Sequence, residues 1–171
     1  GSCLPKDLDS LISVLKEQKI NSSFFDGVKK INDEQTRIIV NMLKNELKEL
    51  ENKTISILGL AFKENSDDMR NSKTISLINI LLNKKCKIRI YDPKIKENIN
   101  KKISNKVIFC SSIAECLQNS FGVIIMNSNS EFSKISETTI QSMKKPLIID
   151  TRRILKKKYS KSQYIGLGIN N

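Results

Sequence analysis

Histidine and tryptophan are both absent from this chain, and its four cysteines, Cys3, Cys86, Cys110 and Cys116, form no CxxC pair. A zinc site would lack both imidazole and paired thiolates, so the expectation is reduced thiols and no metal. There is no run of about 18 apolar residues and no signal-peptide pattern, so the chain reads as soluble and cytoplasmic, with no membrane partner. Aromatic residues make up only 5%. That scarcity bears on the net charge of +12, which alone could mean nucleic acid, a membrane surface or small anions. Base recognition usually needs stacking rings or a reading helix, and neither is visible, so no nucleic-acid partner is expected. The lysines are spread over helix faces and loops, with one compact run at Lys156, Lys157 and Lys158. Such a spread fits compositional bias better than a targeted patch.

What is present supports a core. A chain of 171 residues, 39% of them hydrophobic, suffices for one ordinary domain and an appendage. Its organising stretch is Lys53 to Ser72, KTISILGLAFKENSDDMRNS. Ile55, Ile57, Leu58, Leu60 and Ala61 make a short apolar run rich in β-branched residues, which predicts a buried strand. Gly59 lets the backbone turn close to a ligand, and the following loop presents Lys63 and Arg70 before Ser72 caps a helix. In an open parallel sheet ligands sit beyond the carboxyl ends of strands, so these cations suit a phosphate-bearing partner; two solvated side chains are the competing reading.

Before this stretch the pattern is helical. Leu8, Leu11, Ile12 and Leu15 recur at helical spacing to about Gln18, with Pro5 in the first turn. Ser23 with Asp26 gives a capping-box-like start to a second helix, whose stripe of Phe24, Val28, Ile31, Ile38, Met42 and Leu43 continues towards Leu50. At about 27 residues it would span roughly 40 Å. A helix that long usually joins domains or packs on a second subunit. Asn32 and Gln35 share one face, either as interfacial hydrogen-bonders or as plain surface.

After Asn52 strands and helices alternate. The expected order is strand Thr54 to Leu58, helix Lys73 to Asn83, strand Lys87 to Tyr91, strand Val107 to Cys110 and a helix capped by Ser112 with Glu115. Strand Phe121 to Met126, a helix from Phe132 to Met143, strand Leu147 to Asp150 and strand Gln163 to Leu167 complete it. The fold class is thus α/β, a long connecting helix followed by a Rossmann-like doubly wound parallel sheet. The domain expectation is residues 1–52 for the amino-terminal helices and 53–171 for the sheet.

On chemistry alone Cys3 is either an inert thiol or a nucleophile activated by Lys6, one turn away at a helix start. Asp67 and Asp68 could pass for metal ligands, but adjacent carboxylates at a loop's end better suit orienting Arg70 or capping amides. Asp92 ends a strand where a dinucleotide site would place its ribose acid, yet no G-x-G-x-x-G turn follows the first strand.

GLAFK followed by DDMRNS resembles the G-L-A-F-K-x-x-[ST]-D-D-x-R-x-S stretch of the UDP-glucose/GDP-mannose 6-dehydrogenase family, and the opening GSCLPKD resembles that family's G-G-S-C-[FL]-P-K-D catalytic loop. The resemblance implies that Cys3 is the catalytic thiol, passing through a thiohemiacetal and a thioester, with Asp7 assisting hydrolysis. Lys6 and Arg70 would lie against the NAD cofactor, while Phe62, Lys63 and Arg152, the last in IIDTRR, would bind the nucleotide sugar. Tyr91-Asp92-Pro93 and the closing Tyr164 to Gly168 fit the family as well. It further implies a homodimer through the long helix, and oxidation of UDP-glucose to UDP-glucuronate with two NAD+; GDP-mannose is the alternative substrate. The chain departs from the pattern at Asn127, Ser128 and Asn129, where Thr-x-Trp is common, and at Ile169, where arginine is usual. It covers only the back half of the family's length and starts with glycine. The expectation is a piece missing its amino-terminal NAD-binding domain, inactive alone, or a non-catalytic UDP-sugar-binding or dimerisation module.

Overall fold

Ile55, Ile57 and Leu58 have no accessible surface, so the strand they form, β1 (Thr54–Leu58), is covered on both faces as parallel strands usually are. Its fully buried polar side chain, Ser56, is satisfied by donating to the Cys116 carbonyl at 2.6 Å. The computed structural model describes residues 3–64, 66–69, 72–95, 103, 105–156 and 159–168. The expectations for Arg70, Lys157, Lys158 and Ile169 therefore lie outside the described residues.

Five further strands join β1: β2 (Lys87–Tyr91), β3 (Val107–Phe109), β4 (Gly122–Ile125), β5 (Leu147–Asp150) and β6 (Gln163–Gly166). All pair in parallel in the order β3-β2-β1-β4-β5-β6. The chain thus winds outward from β1 in one direction and from β4 in the other. Their carboxyl ends flank the switch point, where such sheets bind ligands.

One face of the sheet is covered by α2 (Ser23–Leu47) and α3 (Lys73–Asn83). Ile39, Val40, Leu43 and Leu47 of α2 and Leu77, Ile78 and Leu81 of α3 share a core with Ile55, Ile57, Ile88, Ile90, Ile124 and Ile149. Burying each such side chain stabilises the fold by about 1.5–3 kcal/mol. The other face carries α4 (Ile113–Leu117) and α5 (Glu137–Gln141), whose Cys116, Leu117 and Ile140 pack with Leu58, Val123, Ile125 and Ile148. The sheet is therefore doubly wound, as expected.

Ahead of these, α1 (Cys3–Glu17) lies along α2. Only the carboxyl-terminal half of α2 packs into the core: its buried helical residues begin at Thr36, while Phe24 is 74% and Ile31 62% exposed. The last carbonyls of α2 receive lysines, Lys145 donating to Glu46 O at 2.6 Å and Lys53 to Leu47 O at 3.0 Å. Among the described residues no helix is long and apolar enough to cross a membrane.

Three local expectations change. The N-cap position of α2 is Ser22, not Ser23, and its hydroxyl donates to the Asp26 carboxylate at 2.7 Å instead of capping an amide. The Ser112 cap forms on the Glu115 amide at 3.1 Å, but the carboxylate of Glu115 turns back to the amide of Ser111, one residue earlier than in the usual box. The single helix expected from Phe132 to Met143 is split into a 3-10 turn, Phe132–Lys134, and α5. Ser136 accepts the Thr139 amide at 3.1 Å and starts a new helix there, while Tyr159 donates to the Ile135 carbonyl at 3.0 Å.

Candidate functional site

Beyond Leu58 the chain leaves the sheet through Gly59, whose φ is +93°. A Cβ there would stand 2.6 Å from the Asn127 side chain, so the backbone lies directly against that amide. Asn127, just past β4, is 3% exposed and accepts the Asn129 amide at 3.3 Å. The crevice between β1 and β4 is thus filled by the chain itself. In a dinucleotide site a pyrophosphate would approach the backbone at this point.

Asp92, at the end of β2, closes the same turn. One oxygen accepts the amides of Leu60 at 2.7 Å and Ala61 at 3.2 Å, and the other accepts that of Lys94 at 2.9 Å. A carboxylate so placed is committed to the protein's own backbone and does not face a ribose. Ser72 ties down the far end of the loop, accepting the Thr74 amide at 3.2 Å as the cap of α3 and donating to the Leu60 carbonyl at 2.8 Å. Between these anchors Phe62 is half-buried, with its amide donating to the Asp68 carbonyl at 3.1 Å. Lys63 is exposed, its ammonium 5.9 Å from the Phe62 ring centroid.

The end of β5 aims a second cation at this edge. Asp150 is fully buried; one of its oxygens accepts the Arg152 amide at 3.0 Å, and the other accepts the Leu155 amide at 3.0 Å and the Tyr164 hydroxyl at 3.3 Å. These bonds curl the chain so that Arg152 Nε donates to the Met126 carbonyl at 3.0 Å, next to Asn127. The guanidinium is exposed over the carboxyl end of β4, on the edge that carries the Phe62 and Lys63 loop. Burial, then the charge of Asp150, pushes the Tyr164 hydroxyl up to about 12. Burial, then its bond to the Glu131 carboxylate, does the same for Tyr91.

The amino-terminal residues lie elsewhere on the molecule. Lys6 and Asp7 are exposed on α1, and the Cys3 side chain lies outside what is described. Pro5 and Leu8 line a cavity of about 280 Å³ with Asn32 and Asp33 of α2 and with Lys73 and Ser76 at the start of α3. A Lys73–Asp33 ion pair of 2.8 Å spans that junction. The first turns of α1 thus sit beside the helix into which the cation loop runs.

The sequence identified Phe62, Lys63 and Arg152 as candidates, and the structure brings them to one sheet edge. It did not identify Asn127 as the filler of the crevice or Asp150 as the anchor of the turn. The available signal was a polar residue directly after an all-apolar strand, opposite a glycine that ends its neighbour. Among the described residues no cluster of His, Cys, Asp or Glu could hold a metal ion.

Comparison with known proteins gives this arrangement a family context. Residues 56–157 match the UDP binding domain of the UDP-glucose/GDP-mannose dehydrogenase family. A UDP-glucose 6-dehydrogenase of Rickettsia bellii is 36% identical over 159 residues, covering 91% of this chain and 37% of that protein. A UDP-glucose dehydrogenase structure from the hyperthermophilic archaeon Pyrobaculum islandicum superposes with a TM-score of 0.85 at 25% identity, over 97% of this chain and 37% of that one. A UDP-D-ManNAc dehydrogenase structure from Pyrococcus horikoshii gives 0.82 at 26% identity, over 98% and 38% respectively. The chain thus spans little more than a third of the length of these relatives.

Proposed function

Because the chain belongs to the UDP-glucose/GDP-mannose dehydrogenase family, we propose that it is the UDP-sugar-binding part of a nucleotide-sugar 6-dehydrogenase acting on UDP-glucose. The observation that supports this reading is the place of Lys63 in the loop after β1 and of Arg152 on the Met126 carbonyl after β4, both beyond the carboxyl edge of a sheet whose inner crevice is already filled by Asn127. An ammonium and a planar guanidinium outside a closed crevice suit a diphosphate held on the rim, with Phe62 offering an apolar surface beside it. In this proposal residues 53–171 hold the nucleotide sugar, and residues 1–52 carry the reactive loop and the subunit contact.

NAD, the hydride acceptor of the complete enzyme, does not fit this sheet, because Asp92 is engaged by backbone amides and Asn127 occupies the pyrophosphate position. Its proposed place is a separate domain of the longer protein, which Lys6 and Arg70 would meet. Cys3 is the proposed nucleophile that carries the sugar's C6 as a thiohemiacetal and then a thioester, with Asp7 assisting hydrolysis.

Binding is tested by thermal shift and calorimetry on the full chain with UDP, UDP-glucose and GDP-mannose. UDP-glucose should raise Tm, while Lys63→Ala and Arg152→Ala should each weaken binding about 10- to 100-fold, the equivalent of one charge-assisted hydrogen bond. Supplied with UDP-glucose and NAD+, this chain alone should release no NADH. Equal UDP-glucose binding by the wild type and the double variant would overturn the site.

We further propose that the chain pairs with a second copy through α2. Phe24, Val28, Ile31 and Ile38 are exposed and recur at helical spacing along one stripe, with Leu4, Leu11 and Val14 of α1 exposed nearby. Sedimentation at micromolar concentration should show a dimer, and Phe24→Asp with Ile31→Asp a folded monomer. A wild type that sediments as a monomer contradicts the proposal.

A further inference from the structure

With Asp92 committed to backbone amides, an acidic partner for a nucleotide's ribose has to come from another element at the carboxyl edge. The fold holds Glu131 there. It lies in the turn after β4, and the hydroxyl of Tyr91, the last residue of β2, reaches its two carboxylate oxygens at 2.9 and 3.1 Å. In the sheet β1 stands between β2 and β4, so this contact bridges the strand ends at the switch point. The carboxylate is fixed from both directions. Its own amide donates to Asn129 Oδ1 at 3.0 Å, and the Asn129 amide donates in turn to Oδ1 of Asn127, the side chain packed against Gly59. Phe132, the next residue, is fully buried, donates its amide to the Asn129 carbonyl at 3.0 Å and meets the Tyr91 ring edge-on, with centroids 6.4 Å apart. A carboxylate accepts up to about four hydrogen bonds and Tyr91 supplies a single hydrogen, so acceptor capacity is left on an exposed side chain. Among the described residues no lysine or arginine pairs with Glu131. Tyr91 also borders a cleft of about 520 Å³ with Pro93 and Phe109, which leaves room beside the pair.

We propose that Glu131, positioned by Tyr91, accepts the ribose hydroxyls of the bound nucleotide and makes the site selective for ribonucleotides, an inference that rests on nucleotide-sugar binding at this edge. A vicinal diol offers two O–H donors, and an ionised carboxylate with open lone pairs is the matching acceptor. The spacing agrees. Arg152 stands over the end of β4, two strand positions from β2, and two steps of about 4.8 Å make about 10 Å, a span that a ribose joined to a diphosphate covers. The charges are ordered to match, since the guanidinium at the β4 end suits phosphate and a carboxylate drawn to the β2 side repels it least. Tyr91 acts through Glu131: with the glutamate already held in one rotamer, less side-chain freedom is lost on binding. Burial and the bond to Glu131 hold the Tyr91 hydroxyl up to about 12, so it stays a donor across the neutral range.

Calorimetry on the full chain with UDP and 2′-deoxy-UDP tests this. The wild type should bind UDP about tenfold more tightly than the deoxy nucleotide, the equivalent of one charge-assisted hydrogen bond. Glu131→Ala, a change at an exposed position, should abolish that difference by weakening UDP. Tyr91→Phe keeps the ring on Phe132 and should leave a preference smaller than that of the wild type. Arg152→Ala, by contrast, should weaken both nucleotides by the same factor and leave the ratio of about ten intact. A wild type that binds the two nucleotides equally, or a Glu131→Ala chain that keeps the wild-type preference, overturns the inference and leaves nucleotide binding at this edge standing. Failure of the wild type to bind either nucleotide overturns both.

Discussion

Gly59→Ala should destabilise the fold by about 2–5 kcal/mol and weaken UDP-glucose binding with it. Two costs combine. A backbone at φ +93° disfavours any L side chain, by roughly 1–2 kcal/mol, and the added methyl would stand 2.6 Å from Asn127 Cγ, an overlap worth about 1–3 kcal/mol in a packed interior. Asn127 cannot swing aside cheaply, because it is buried and its carbonyl oxygen holds the Asn129 amide. For a chain of this size the loss corresponds to a fall in Tm of roughly 5–15 °C. Asn127→Ala separates the two terms, since in the double variant the overlap disappears while the backbone strain stays. A double-mutant cycle by urea denaturation should therefore show about 1–3 kcal/mol of favourable coupling. An unchanged midpoint in Gly59→Ala would mean that the turn after β1 yields to an added methyl without cost.

Asp150→Ala should have a comparable or larger effect, about 3–5 kcal/mol, though it removes no apolar contact of note. The carboxylate has no accessible surface and accepts from the Arg152 amide, the Leu155 amide and the Tyr164 hydroxyl, so truncation leaves one buried and two part-buried donors without their acceptor. It also releases the turn that lays Arg152 against the Met126 carbonyl, so UDP-glucose binding should weaken at least as much as in Arg152→Ala. Asp150→Asn supplies a finer test through Tyr164. Burial and then the Asp150 charge raise this hydroxyl from 10.0 to about 12, so the fold favours its neutral form. That contribution is fully present below about pH 10 and is lost as pH rises through about 12. Without the charge the Tyr164 pKa should fall towards its ordinary value, so the stability lost as pH rises above about 10 should shrink and the loss should end at a lower pH. Tyrosinate absorbance referenced to Tyr164→Phe would follow it. An unshifted titration would show that Asp150 does not act on the hydroxyl.

The helices and strands were legible because their causes are local. β1, β2 and β5 occupy the apolar runs expected of them, and α3 starts at the serine expected to cap it. The Phe132 to Met143 segment shows where that logic stops. Its apolar spacing suits one helix, but Ser136 can end it because Tyr159, distant in sequence, takes the carbonyl of Ile135. Hydrophobic spacing carries no information about such a partner. The start of α2 differs for a related reason: Ser22 and Ser23 are chemically equivalent caps, and neither residue type reveals that the hydroxyl would be drawn to Asp26.

The nucleotide-sugar role of Phe62, Lys63 and Arg152 came from resemblance to a family; the amino-acid order by itself determined an α/β chain with alternating elements and a glycine-ended first strand. These follow from short-range sterics and residue chemistry, which act over a few positions. Folding decided which polar groups turn inward. Asp92 and Asp150 could each have faced a ligand, and Asn127 could have been ordinary surface. The backbone amides that capture both carboxylates, and the glycine that admits the asparagine, come from separate strands that meet only when the sheet assembles.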